Sequence, residues 1–104
     1  EFEEALKADE QAQEDDKETF EIDGNEYEGF IDWINERALF YGDDSYYRAK
    51  QLLLSYGGPS DFFLFFTEED RIEYRFQDWF DGAEIVLDGH DYEVMHQVYE
   101  RIIE

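Results

Sequence analysis

Cysteine is absent from the 104-residue chain, proline occurs once, histidine twice, and only eight Lys and Arg stand against 30 Asp and Glu. Without cysteine there is no disulfide, no thiolate metal site and no thiol nucleophile, so packing alone must hold the fold, and nothing points to an oxidising compartment. No long apolar run occurs either: Phe62 to Phe66 is the longest strongly apolar stretch, far short of the roughly 20 residues a membrane-spanning helix needs. Residues 1 to 18 are acidic where a secretory leader needs a basic start and an apolar middle. The expectation is a cytoplasmic protein.

The shortage of cations leaves a net charge of -22 and a pI near 4.1. Such a surface repels phosphate and anionic lipid, which argues against direct binding of nucleic acid or a membrane face and favours cationic partners. Acidic chains of this kind are often disordered because they lack apolar bulk. Here 42% of residues are hydrophobic and 19% aromatic, with ten Phe, eight Tyr and two Trp, enough for the core of one domain.

Residues 1 to 18 hold nine acids and two lysines, with Phe2, Ala5, Leu6, Ala8 and Ala12 as apolar positions. Good helix formers dominate, and the expectation is an acidic N-terminal helix docked lightly on a globular α+β domain spanning residues 19 to 104. Thr19 to Ile22 reads as a short extended piece turned by Asp23-Gly24. Apolar residues at 27, 30, 31, 34, 38 and 41 predict a helix ending at Gly42, and Tyr46, Ala49, Leu52, Leu53 and Tyr56 predict another, capped by Asp44 or Ser45 and stopped by Gly57-Gly58-Pro59.

After Pro59 the period changes to two. Asp61 to Thr67 and Arg71 to Gln77 read as strands around a polar Glu68-Glu69-Asp70 turn, with a bulge at Asp78-Trp79-Phe80 and a third strand from Ala83 to Leu87. Asp88 then caps a final helix burying Tyr92, Met95, Val98, Tyr99, Ile102 and Ile103. The predicted fold is α+β: a small antiparallel three-stranded meander packed by about four helices, in the order α(β)ααβββα.

Catalytic patterns are scarce. No serine lies in a Gly-x-Ser-x-Gly elbow, and His90 and His96 fall on opposite faces of one helix. Asp23-Gly24-Asn25 and Asp81-Gly82-Ala83-Glu84 hold only fragments of a calcium loop. The reading is therefore of a protein that is not an enzyme and that holds no metal or cofactor.

What stands out is how the charge is spread. Residues 1 to 18 carry -7, residues 19 to 56 carry -5 and residues 57 to 104 carry -10, so acidity belongs to the folded surface and is no appended tail. In duplex DNA one charge falls per roughly 1.7 Å of axis, so 22 charges correspond to about 37 Å, close to the roughly 34 Å diameter expected of a compact domain of this size.

The stretches Leu52 to Ser60 and Gln77 to Ala83, with the size, acidity and aromatic content, resemble small acidic proteins encoded by phages and mobile elements. The resemblance spans about residues 46 to 88 and carries no catalytic residues. Some of those proteins are DNA mimics that block restriction or CRISPR nucleases, which implies here an inhibitor occupying the basic nucleic-acid channel of a host defence nuclease. The expected contacts are turn and helix-start acids: Asp43, Asp44, Glu68, Glu69, Asp70, Asp81, Glu84 and Asp88, with Glu10, Glu14, Asp15 and Asp16 from the first helix. An immunity protein for a nuclease toxin and a salt-adapted domain without a tight partner are the alternatives. A homodimer is also expected, because doubling the domain would imitate a longer duplex.

Overall fold

The computed structural model describes residues 2–78 and 81–102. The chain runs α1 (Phe2–Glu14), β1 (Phe20–Ile22), β2 (Asn25–Tyr27), α2 (Phe30–Arg37), β3 (Phe40–Asp44), β4 (Ala49–Ser55), β5 (Ser60–Phe66), a 3-10 turn (Thr67–Glu69), β6 (Arg71–Gln77), β7 (Gly82–Val86) and α3 (Gly89–Ile102). It is an α+β fold with two antiparallel sheets: the β1-β2 hairpin and a five-stranded meander in the order β3-β4-β5-β6-β7.

Two expectations are corrected here. The meander has five strands instead of three, and among the described residues there are three α-helices instead of about four. The predicted helix over residues 44 to 56 is the β3-β4 hairpin, with Tyr41 opposite Leu52 and Asp44 opposite Ala49. Asp44 does cap, accepting the backbone N–H of Tyr46 at 2.9 Å and of Tyr47 at 3.2 Å. It closes a β-turn, in which Arg48 takes a φ of 57°, where a helix start had been expected. The helix predicted from Tyr27 to Gly42 shortens to Phe30–Arg37, and Gly42 lies inside β3. Leu52 and Leu54 are buried and Leu53 half-buried. Three apolar residues in a row suit a central strand covered on both faces, which outweighs the local helix preference of Ala, Lys, Gln and Leu.

The remaining elements lie where their patterns place them, but of the face expected to be buried in α3 only Met95 and Val98 are buried, Tyr92, Tyr99 and Ile102 are half-buried, and Ile103 lies outside the described residues. β5 and β6 pair over their whole length, from Ser60 opposite Gln77 to Phe66 opposite Arg71. The Asp23-Gly24 turn joins β1 to β2 with φ values of 50° and 82°, the left-handed pair that a two-residue hairpin turn requires. The bulge expected around Trp79 and Phe80 lies outside the described residues. A register irregularity does occur in β4 between Leu53 and Ser55.

All three helices pack on one face of the large sheet. Leu52, Leu54, Phe65 and Ile72 from the strands meet Phe2, Leu6, Phe30, Trp33, Ile34, Met95 and Val98 from the helices in one buried cluster. Aromatic edges knit the layer, with Phe2 against Trp33 at 5.5 Å and against Phe63 at 5.7 Å between ring centroids. α1 is a full member of this core: Phe2, Ala5, Leu6, Asp9 and Ala12 are buried, a closer attachment than the light docking its acidity suggested. Buried Asp9 accepts a hydrogen bond from the Arg101 guanidinium of α3, which satisfies the one carboxylate on the inner face of the helix.

The other face of the sheet carries no helix among the described residues. A smaller cluster of Ala49, Phe62 and Leu64 is buried there under Tyr47, Leu53 and Phe66. Two arginines of β6 complete the cover, Arg71 lying 4.2 Å from the Phe66 ring centre and Arg75 4.8 Å from that of Tyr47. Their stems shield apolar surface while their charged heads lie over aromatic faces.

Candidate interaction surface

The two layers differ sharply in charge. Residues 2 to 37 and 88 to 102, which form the helices and the small hairpin, carry 18 acids and four bases, or -14. Residues 38 to 87, the large sheet and its turns, carry ten acids and four bases, or -6. The densest stretch of one sign runs from Glu18 to Glu36, where seven acids occur without one Lys or Arg; residues 78 to 100 carry the same number over a longer span. All seven acids of the first stretch are exposed. Glu21 stands directly opposite Glu26 across the β1-β2 ladder, a like-charge pair that destabilises a hairpin and has no role in packing.

Local structure explains why these carboxylates point outward. Phe20, Ile22 and Tyr27 turn into the core, so the alternate positions Glu21 and Glu26 must face solvent. On α2 the buried face is Phe30, Trp33 and Ile34, which leaves Asp32 and Glu36 outside. Asp32 also accepts the backbone N–H of Glu28 at 3.2 Å at the helix start. The Tyr27 hydroxyl is pushed up to about 12 by its hydrogen bond to Glu36, by burial and by the surrounding carboxylates.

The twelve acids picked from the sequence separate into three groups. Glu10, Glu14, Asp15 and Asp16 lie at the C-terminal end of α1 and the turn after it, and are exposed. They adjoin the Glu18 to Glu36 surface in the chain and extend it. Strand register brings Asp43, Asp44, Glu68, Glu69, Asp70 and Asp88 to one rim of the large sheet. Asp81 lies at the opposite rim, and Glu84 lies on edge strand β7.

Several members of this set are already engaged within the chain. Asp43 pairs with Lys50 at 2.7 Å, which raises the lysine, and Glu84 pairs with Arg75 at 3.1 Å. Glu69 pairs with Arg71, and Glu10 reaches Arg101 at 3.8 Å. Asp70 accepts a hydrogen bond from Tyr92 and holds that phenol above its usual value. Asp44 and Asp81 accept turn N–H groups. The rim acids are thus partly structural. The hairpin and α2 acids Glu21, Asp23, Glu26, Glu28, Asp32 and Glu36 lie outside the set expected from the sequence; the signal for them is the 18-to-36 run without Lys or Arg.

The long axis of the molecule measures 46 Å, so the net charge of -22 spreads at about 2 Å per charge, against roughly 1.7 Å in duplex DNA. Among the described residues no group of three or more His, Asp or Glu side chains is arranged to hold a metal ion, and no helix is long and apolar enough to cross a membrane. His90 lies 2.7 Å from Glu3 and His96 3.2 Å from Glu100. Comparison with protein-family models, with curated protein sequences and with solved structures finds no match.

Proposed function

We propose that the protein is a DNA mimic that binds the cationic nucleic-acid channel of another protein, a host defence nuclease, and blocks it without chemistry of its own. The observation that carries this reading is the run from Glu18 to Glu36, whose seven carboxylates are all exposed and which contains no Lys or Arg. A surface that keeps Glu21 opposite Glu26 carries repulsion that folding does not need. A basic groove relieves that repulsion on binding and speeds encounter by electrostatic steering. Glu10, Glu14, Asp15 and Asp16 extend the same surface, while the sheet rim is a secondary contact because its acids are partly neutralised in place.

The test has two stages. Proteins captured from a bacterial lysate on the immobilised protein are eluted by salt and by duplex DNA, and a nuclease released by both is assayed on DNA with added protein. Inhibition that is lost in the double reversal Glu21→Lys with Glu26→Lys supports the proposal. A nuclease whose cleavage rate is unchanged by excess protein, or inhibition that survives reversals at every acidic patch, overturns it.

A further inference from the structure

β7 closes one side of the large sheet, and all five of its residues are exposed, with Ile85 at 57% and Val86 at 56%. Leu87 donates its N–H to the Ile72 carbonyl, and at the other end of the ladder Asp78 and Asp81 each donate to the other's carbonyl. By alternation Ala83 and Ile85 also turn their backbone groups inward to β6, and Glu84 and Val86 turn theirs out to the free edge. Such an edge is a template for another strand, which proteins commonly blunt with lysine, proline or a bulge. β7 has none of these in its pairing with β6.

The surroundings of this edge are acidic. Residues 78 to 100 hold seven acids and no Lys or Arg. Asp81 and Asp88 are exposed at the two ends of β7, and Glu84 lies on it, 3.1 Å from Arg75 of β6. On the helix-bearing face, Ile85 lines an open groove of about 430 Å³ with Phe63, Tyr74, Leu87 and Met95, and the acids Glu3 and Asp91 line the same groove. The β3 edge differs, because its hairpin supplies Arg48 and Lys50, and Lys50 already pairs with Asp43 at 2.7 Å.

These charges decide the occupant. A second copy would set acid against acid, whereas a cationic strand is attracted at both ends of the edge. Strand addition draws affinity from the main chain and selects side chains at alternate positions. In an antiparallel pair the added residues opposite Ala83, Ile85 and Leu87 all lie on the groove side of the sheet. The middle one meets Ile85 and the apolar groove. The outer two lie toward Asp81 at one end and toward Asp88 and Asp91 at the other.

We propose that β7 is the acceptor edge for an extended basic segment of a protein partner, which adds a sixth strand antiparallel to β7 with an apolar residue opposite Ile85 and Lys or Arg two places before and after it. The site is distinct from the Glu18 to Glu36 surface and does not rest on the DNA-mimic reading.

The probe is a blocked peptide, Thr-Lys-Thr-Ile-Thr-Lys-Thr. With its isoleucine opposite Ile85, the two threonines beside the isoleucine bond to Glu84 and Val86, and the isoleucine N–H points away from β7. Titration into the full chain at low salt is expected to show binding, with slowed amide exchange at Glu84 and Val86. N-methylation of those two threonines should weaken binding at least about tenfold because two ladder bonds are lost, and N-methylation of the isoleucine should change it less than about twofold. All three peptides carry the same charge, so the difference reports strand pairing and not bulk attraction. Val86→Pro removes an outward donor and no bond to β6, and should weaken the unmethylated peptide in the same direction. Absence of binding at low salt overturns the proposal, as do equal affinities of the differently methylated peptides or unchanged exchange at Glu84 and Val86. Protection of those two amides that rises with protein concentration alone would put a second copy on the edge and overturns it too.

Discussion

Glu73 lies between Arg71 and Arg75 on the helix-free face of the large sheet, with Oε2 accepting from Nε of Arg71 at 2.7 Å and Oε1 accepting from an Arg75 Nη at 2.8 Å. Glu73 is 6% exposed, the second buried acid beside Asp9. Burial pushes its carboxyl up, but the two guanidinium groups outweigh burial and hold it below the usual carboxylate range. Both arginines also lie over aromatic rings, so the carboxylate fixes the cover of the second apolar cluster. Glu73→Ala leaves two like charges without their common partner and should cost about 2 kcal/mol, below the range for fully buried pairs because the arginines are partly exposed. Urea unfolding should show a lower midpoint at unchanged slope.

The same group has a definite pH signature. Its folded pKa lies below the unfolded value, so its contribution is present above the ordinary value of 4.5 and is lost as pH falls through the lowered folded value. Compared with Glu73→Gln, the natural protein should be more stable at neutral pH, and the gap should close in acid. Comparing the two proteins at each pH cancels the titration of the other carboxylates. A gap that persists after full protonation would show that shape and not charge holds the arginines.

At high pH the signs reverse. Tyr74 is pushed up to about 12 by burial and by its hydrogen bond of 2.8 Å to Asp61. A folded pKa above the unfolded value of 10.0 means that the folded chain retains the proton longer, so stability is full below pH 10 and falls as pH rises toward 12. Tyr74→Phe removes this share and should flatten the alkaline decline, at a cost near neutrality of about 1 to 2 kcal/mol for the lost hydrogen bond to a carboxylate. Unfolding midpoints through that window, with ultraviolet titration of the phenols, check both parts.

α1 gives a further expectation. Its inner face buries Leu6 at 3% exposure and Asp9 at 5%, with Asp9 tied to Arg101 of α3. Leu6→Ala should cost about 2 to 4 kcal/mol, the range for a buried leucine whose site cannot fully collapse. The loss should appear in global unfolding, monitored by signals from the sheet. A helix that frayed alone, leaving the sheet signal unmoved, would separate α1 from the cooperative unit.

Much of the sheet was legible because its residues obey a local pattern. Ile72, Tyr74 and Phe76 alternate with Glu73, Arg75 and Gln77, and β6 spans Arg71–Gln77. α3 was legible from its apolar spacing after Asp88. The β3-β4 hairpin was not, because Tyr46, Ala49, Leu52, Leu53 and Tyr56 satisfy a helical period, and what decides the matter is nonlocal: pairing of Leu52 with Phe63 and of Leu53 with Phe62. The acidic surface was half legible. Turn acids are visible in any sequence, but that Glu21 faces Glu26 follows only from the register of a hairpin three residues wide on each side.

That pair yields a prediction in which stability and binding move in opposite directions. Glu21→Lys replaces a like-charge cross-strand pair with an opposite-charge one, and both positions are exposed. Relief of the repulsion should raise stability by about 0.2 to 1 kcal/mol at low salt, with the gain shrinking as salt screens the surface. If the Glu18 to Glu36 surface meets a basic groove, the same substitution should weaken binding and reduce its salt dependence, because one favourable contact becomes a repulsive one. Salt should therefore stabilise the free natural protein by screening a net charge of -22 while loosening its complex. A salt-adapted domain without a partner shares the first effect and lacks the second. Unfolding curves and binding to the captured nuclease, both measured across a salt series for the natural protein and Glu21→Lys, separate the two: a more stable variant with unchanged affinity would leave the acidic surface without a role in recognition.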